Sequence, residues 1–319
     1  MLRGEIERAL AVTSRHGKRY NFFGDYLTAR YGHKVLKLPI DAGFGCPNRD
    51  GTLSTGGCIF CSEEGSAAPT AAASREIIEQ MENAERSFGR TFDEVSFIAY
   101  FQAYTNTYAP VEVLRSAFDT ALTYHDVTGL MIGTRPDCLP EDVLDLIASY
   151  SRDGFELWIE LGMQTMHDRS LTFLNRRHTH EQTRTAIREA AARGIKICAH
   201  IILGIPGESW ADMMATAEEL SKLPVAGVKI HQLHIIRGTE LARIYEAEPF
   251  PMISMKEYIS TLCDFLERLR GDIVIHRIAG DRDEASLVAP KWGLHKGTVQ
   301  KELDEEFLRR GSWQGLLAI

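Results

Sequence analysis

Short runs rich in β-branched and aromatic residues recur along the chain: 35–40 (VLKLPI), 95–101 (VSFIAYF), 129–133 (GLMIG), 155–161 (FELWIEL), 195–203 (IKICAHIIL) and 227–235 (GVKIHQLHI). Each reads as a strand. Between them, apolar residues fall at helical spacing. Ile77, Ile78, Met81, Ala84 and Phe88 form one stripe, and Val113, Leu114, Phe118 and Leu122 a second. Leu139, Val143, Leu144 and Ile147 form a third, with Pro140 where a first helical turn tolerates proline. Further helices are predicted over 180–193, stopped by Gly194, over 209–222, opened by a Ser209/Asp212 capping box, and over 255–269, ended by Gly271. Strand and helix thus alternate about six times over 35–270, which calls for a parallel α/β sheet covered by helices. An open doubly wound sheet and a barrel both satisfy this pattern, and in either the chemistry lies beyond the carboxyl ends of the strands.

Composition narrows the function classes. The 319 residues are 44% hydrophobic and 25% charged, ordinary for a globular chain. No apolar run reaches the ~18 residues of a membrane span. The opening MLRGEIERALAV is interrupted by Glu5, Glu7 and Arg8, unlike a signal peptide. A cytoplasmic protein is expected, whose six cysteines need a reason other than disulfides. A net charge of −8 argues against non-specific coating of nucleic acid. Residues 1–37 nevertheless carry eight Lys/Arg (Arg3, Arg8, Arg15, Lys18, Arg19, Arg30, Lys34, Lys37) against three acids. That segment is either a solvated face or a phosphate-binding patch.

The first strand ends near Asp41 and runs into AGFGCPNRDGTLSTGGCIFC, where Cys46, Cys58 and Cys61 stand in a C-x11-C-x2-C spacing among five glycines. Such a loop lets the backbone wrap closely around a bulky group. Thiolates suit iron–sulfur clusters or zinc. Three cysteines would leave one iron of a four-iron cluster open to an outside ligand. Structural zinc would require a fourth Cys or His nearby, and none lies within the loop. Cys138, Cys198 and Cys263 fall on predicted elements and read as packing residues.

The segment KVLKLPIDAGFGCPNRDGTLSTGGCIFC closely resembles the opening of the YhcC/YtqA-type radical S-adenosylmethionine (SAM) family. The resemblance continues through YFQAYTNTYAP, IGTRPDCLP, ELGMQT, AHIILGIPGES, KIHQLHIIRGT and APKWGLHKG, over roughly residues 18–300. The radical SAM domain of the Elongator catalytic subunit is similar at greater distance. This resemblance implies a partial (β/α)6 TIM-like barrel over 34–245, a basic extension over 1–33 and a C-terminal extension over 246–319. It implies that Cys46, Cys58 and Cys61 ligate a [4Fe-4S] cluster, with SAM chelated at the fourth iron and Phe60 against the adenine. One electron, from a donor such as flavodoxin or ferredoxin, would then cleave SAM to a 5′-deoxyadenosyl radical.

Other site residues follow from the strand ends. Thr134, Arg135 and Asp137 follow the third strand; Arg135 would hold the SAM carboxylate, or only pair with Asp137. Gln164 follows the fourth strand and is expected on the SAM ribose or carboxylate. In the fifth, KICAHIILGIPGE is similar to the superfamily segment that backs the adenine, which singles out Gly204 and His200, the latter otherwise a hydrogen-bonded core residue. Where many relatives carry Gly-Gly-Glu, this chain has FQAYTNTY, so Gln102, Thr105 or Asn106 would meet the SAM amino group. His231, His234 and Arg237, then His276 and Arg277, crowd later strand ends and could bind a carboxylate or phosphate, or merely satisfy loop backbone. Lys291, Trp292, His295 and Lys296 combine cations with an aromatic ring, suited to a nucleotide or to anchoring the tail. The family resemblance further implies tRNA as partner and wobble uridine as substrate, with a carboxymethylaminomethyl group converted to aminomethyl. A radical SAM enzyme acting on a small carboxylated metabolite, and a zinc-stabilised nucleic-acid-binding module, are the alternatives.

Overall fold

The computed structural model describes residues 18–62, 74–89, 94–280, 282–292 and 296–318. Arg3, Arg8, Arg15 and His295 lie outside them. Seven parallel strands form one curled sheet in sequential order: β1 (Lys34–Ile40), β2 (Val95–Phe101), β3 (Val127–Thr134), β4 (Glu156–Gln164), β5 (Lys196–Leu203), β6 (Gly227–Gln232) and, past a two-residue β7 (Ile235–Ile236), β8 (Val274–Arg277). This half-barrel is the partial TIM-like architecture that the family resemblance implies; the alternation allows an open doubly wound sheet as well. The seventh strand arises within the predicted C-terminal extension. It ends at Arg277, in keeping with the expectation that His276 and Arg277 stand at a later strand end.

The helices between the strands are α2 (Ile77–Ser87), α3 (Val111–Leu122), α4 (Glu141–Ala148), a short α5 (Asp168–Phe173), α6 (His180–Ala192), α7 (Trp210–Lys222), α8 (Glu240–Ala247), which packs on β7, and α9 (Met255–Arg268). Their starts are written locally. Ser209 accepts from the Asp212 amide while Asp212 reaches back to Ser209, as expected, and Thr179/Gln182 and Ser254/Glu257 form the same reciprocal cap. The stripes predicted on α2 and α4 are buried through Met81, Ala84, Val143, Leu144 and Ile147. On α3, Leu114 and Phe118 pack inward, whereas Val113 turns outward, half exposed. α10 (Lys296–Arg310) lies against α9, and β7 pairs antiparallel with β9 (Leu287–Ala289).

The inner face differs from the outer one. Helix α1 (Phe23–Tyr31) precedes β1 and contacts both β1 and β8, the two edges of the open sheet. The Ile275 amide donates to Asn21 O, and Phe23 stacks on His276 and meets Trp158 edge-on. Tyr26 and Arg30 reach Glu156, a buried carboxylate that Lys196 also pairs at 2.9 Å. The floor of the half-barrel is thus plugged, and the cavity lies towards the carboxyl ends of the strands.

Candidate active site

Because every strand of the main sheet runs the same way, the loops after β1 to β8 converge on one rim, and a cavity of about 610 Å³ lies inside it. The cysteine loop is shaped by its own backbone. Arg49 and Asp50 amides donate to Cys46 O, Gly57 N donates to Asn48 O at 2.7 Å, and Cys61 N donates to Cys58 O. Gly57 sits at φ 73°, where a side chain would be strained. The folds bring Cys46, Cys58 and Cys61 to the cavity wall together.

Two N–H groups point at the Cys58 sulfur: Arg176 Nη1 at 3.1 Å and Asn48 Nδ2 at 3.4 Å. Burial pushes this thiol up, but the charge and hydrogen bond of Arg176, helped by Arg135 and Asn48, hold it below its ordinary value. Burial and the neighbouring Cys58 push Cys61 the other way. Spacing distinguishes the metals. Around one zinc, thiolates at 2.3 Å would sit roughly 3.8 Å apart. Among the described residues, the donor group whose atoms all fall within 4.8 Å of one another is Glu160, Cys198 and His200, not the cysteine trio. The three sulfurs therefore do not all lie at the spacing of a single zinc ion, and a larger cluster fits their arrangement.

Beside them, Arg135 grips Asp137 through two 2.9 Å bonds and donates Nη2 to Arg176 O. Its Nη1 is buried without a partner, as are Thr105 Oγ1 and Asn106 Oδ1 on the loop after β2. Arg135 and Thr105 line the cavity, whereas Asn106 stands behind it with Nδ2 on Gly133 O. Unsatisfied buried polar atoms are costly, so a cluster of them at a cavity rim is the mark of a polar ligand's place. Phe60, Gln102, Thr134 and Gln164 also line the cavity, Gln164 at φ 68°, rare for a side-chain-bearing residue.

Deeper in the barrel lies a charge network absent from the sequence expectations. Glu160 is fully buried, and its carboxylate meets Lys229 and His200 at 2.8 Å, Lys37 at 3.2 Å and the Tyr100 hydroxyl. Lys229 also donates to Tyr100 at 2.7 Å. Burial opposes the Glu160 charge, but Lys229, Lys37 and His200 outweigh it and hold the carboxyl well below its usual range. Two ammonium groups on one carboxylate leave no room for a cation there, so the Glu160/Cys198/His200 group reads as an ion-pair centre. Burial and Lys229 lower His200 to about 4, and burial lowers Lys229 to about 8. A signal was present: FELWIEL places Glu156, Trp158 and Glu160 on one face of an otherwise apolar strand.

The remaining predicted residues divide by position. His231, His234 and Arg277 line the cavity. Arg237 is on the outer surface, its Nε 3.5 Å from Ala285 O. His276 is sealed beneath Glu160 between Phe23 and Trp158, its ring nitrogens without hydrogen bonds. Gly204, at φ 82°, backs onto Ile253, where a Cβ would approach to 3.0 Å. Lys291 is exposed, and Trp292 packs at 5.2 Å on Tyr258 of α9, anchoring the tail. Arg49, Arg176, Lys37, Tyr100, Lys229 and Arg282 are cavity residues that sequence reasoning missed.

The Radical SAM superfamily profile matches residues 43–220 and the Radical_SAM C-terminal domain profile 225–309. Bacillus subtilis YtqA is 40% identical over 298 residues, covering 93% of this chain and 92% of that one. The chain belongs to the YhcC/YtqA-type radical SAM family. This YhcC/YtqA-type protein also shares its fold with the archaeal Elp3 of Methanocaldococcus infernus, at a TM-score of 0.65 and 18% identity over 88% of this chain and 64% of that one. A stretch covering 43% of it is 28% identical to a tRNA uridine(34) acetyltransferase of Methanocaldococcus jannaschii, over 25% of that protein. In the YhcC/YtqA-type chain the boundary between the two profiles falls at the end of α7, yet the sheet continues across it through β6 and β8. Among its described residues no helix is long and apolar enough to cross a membrane.

Proposed function

We propose that this protein holds a [4Fe-4S] cluster on Cys46, Cys58 and Cys61, binds SAM beside it and oxidises a carboxylated substrate, the wobble uridine of tRNA. The observation that carries the reading is the pairing of three cysteines whose sulfurs do not all lie at single-zinc spacing with unpartnered polar atoms on Arg135 and Thr105 at one rim. When bound, the cluster and SAM supply a 5′-deoxyadenosyl radical through one-electron cleavage of the sulfonium bond. Arg135 Nη1 offers a donor for the SAM carboxylate, Thr105 offers an acceptor for its amino group with Asn106 behind it, and Phe60 offers a ring to the adenine.

The inner cavity supplies the substrate half. Lys37, Lys229 and Arg277 face it against the single carboxylate Glu160, a balance that favours an anion. No hydrogen bond or ion pair ties the Arg277 side chain to a described residue, so its guanidinium is available to a substrate carboxylate. Holding that group would present the neighbouring carbon for hydrogen abstraction. The plugged floor and buried walls exclude water from below. The tRNA assignment is supported by the partial likeness to a tRNA uridine(34) acetyltransferase. An unstacked anticodon base can be offered to such a mouth without opening a duplex.

Nucleoside analysis of tRNA from cells lacking this protein tests the substrate. Carboxymethylaminomethyluridine should accumulate as aminomethyluridine falls; an unchanged profile would remove tRNA and leave a small carboxylated metabolite. With the substrate in hand, Arg277→Gln should raise KM about 10- to 100-fold, the range expected for one charge-assisted contact, while SAM cleavage without substrate continues. Unaltered KM would show that the carboxylate is held elsewhere.

A further inference from the structure

Arg176 stands out among the groups the sequence did not reveal. It is buried at 7% exposure, and none of the ion pairs among the described residues joins it to a carboxylate. Its three partners are Cys58 Sγ, Gly162 O at 2.7 Å and, through Nε, His178 Nε2 at 3.2 Å. Burial and the adjoining Arg176 and Arg135 lower His178 to about 2, so it is a neutral acceptor. A buried guanidinium without a counter-ion is costly. The anion these contacts offer it is the Cys58 thiolate.

The surrounding backbone is built to aim this side chain. Asn175 and Arg177, on either side, both adopt left-handed φ values, 54° and 59°, a strained conformation for residues with side chains. Four cross-links hold them there: Asn175 Nδ2 to Gly57 O, Asn48 Nδ2 to Asn175 O, Arg135 Nη2 to Arg176 O, and Ile59 N to Leu174 O. Gly162 completes the seat, since a Cβ there would come within 2.8 Å of Arg176 Nη2. Strain, cross-links and a glycine seat are more than the packing of one loop arginine would require.

We infer that Arg176 is a positioning residue that raises the reduction potential of the cluster held on Cys58, an inference that rests on the cluster reading above. A positive charge and an N–H···S bond at a ligand sulfur both stabilise the more negative, reduced state. The group therefore eases entry of the electron that SAM cleavage consumes.

The test is an EPR-monitored potentiometric titration of anaerobically reconstituted wild type, Arg176→Gln and Arg176→Lys, with iron and sulfide counted per chain. In Arg176→Gln the cluster should assemble in wild-type amount but become at least tenfold harder to reduce at a given potential, a fall of about 59 mV in midpoint. Arg176→Lys, which keeps the charge, should recover most of that loss. A wild-type midpoint in a loaded Arg176→Gln would overturn the inference. So would loss of the cluster from both variants, which would make Arg176 a clamp on the loop and nothing more. A wild type that assembles no [4Fe-4S] cluster would instead overturn the cluster reading itself.

Discussion

Cys58→Ala should yield a colourless protein after anaerobic reconstitution and no 5′-deoxyadenosine after dithionite reduction with SAM. The loss should take activity to background, beyond the 10- to 100-fold typical of changes outside the ligand set. Cys58 is the largest case because it is the buried member of the trio and the one that Arg176 and Asn48 both address. Its removal takes away a ligand and leaves two donors facing an apolar methyl. Cys198→Ala is the control. That thiol lies behind the ion-pair centre, and burial and Glu160 push it well above the ordinary range, so both iron content and SAM cleavage should persist. A brown, SAM-cleaving Cys58→Ala would refute the assignment of the cysteine loop.

The second large effect is loss of stability in mild acid. Burial lowers His178 to about 2, His231 and His276 to about 3, and His200 to about 4, each from an ordinary 6.5. In the unfolded chain these rings take up protons as pH drops below 6.5, whereas in the folded chain they stay neutral. The unfolded state therefore binds more protons, and stability falls with pH from 6.5 down through the folded values. One unit below 6.5, each ring contributes a loss of about 1.4 kcal/mol. Allowing for partial compensation at His200 and His276, which face Glu160, the sum is about 3–6 kcal/mol, a large share of an ordinary domain's stability. For a chain of this length the melting temperature should drop roughly 5–9 °C between pH 7.5 and 5.5. Glu160 does not enter this window, because its depressed pKa makes its contribution vanish only at lower pH. A melting temperature that stayed level across the interval would show that the histidines are solvated.

What the sequence disclosed depended on whether the information was local. Strand runs such as VSFIAYF and caps such as Ser209/Asp212 are short-range patterns, and both appear where expected. The cysteine loop was legible for the same reason. Arg176 was not, because LNRRHT carries no periodicity and its meaning comes from Cys58 and Gly162, more than ten residues away on other elements. Glu160 was hidden by the assumption that strand interiors are apolar. Its partners Lys37, Tyr100, His200 and Lys229 come from four other strands and meet only when the sheet curls. His276 looked like a strand-end polar residue, yet the plug formed by α1 buries it.

The plug has a bearing on how the protein is made. α1 is secured by β8, about 250 residues further along the chain. At 5–20 residues per second, a ribosome needs roughly 12–50 s to deliver that partner. From the moment each is added until β8 follows, Phe23, Tyr26 and Trp158 lack the neighbour that closes over them. The earliest described helix is therefore among the last to be locked, and a nascent chain halted before β8 presents an aromatic floor to whatever chaperone surveys it.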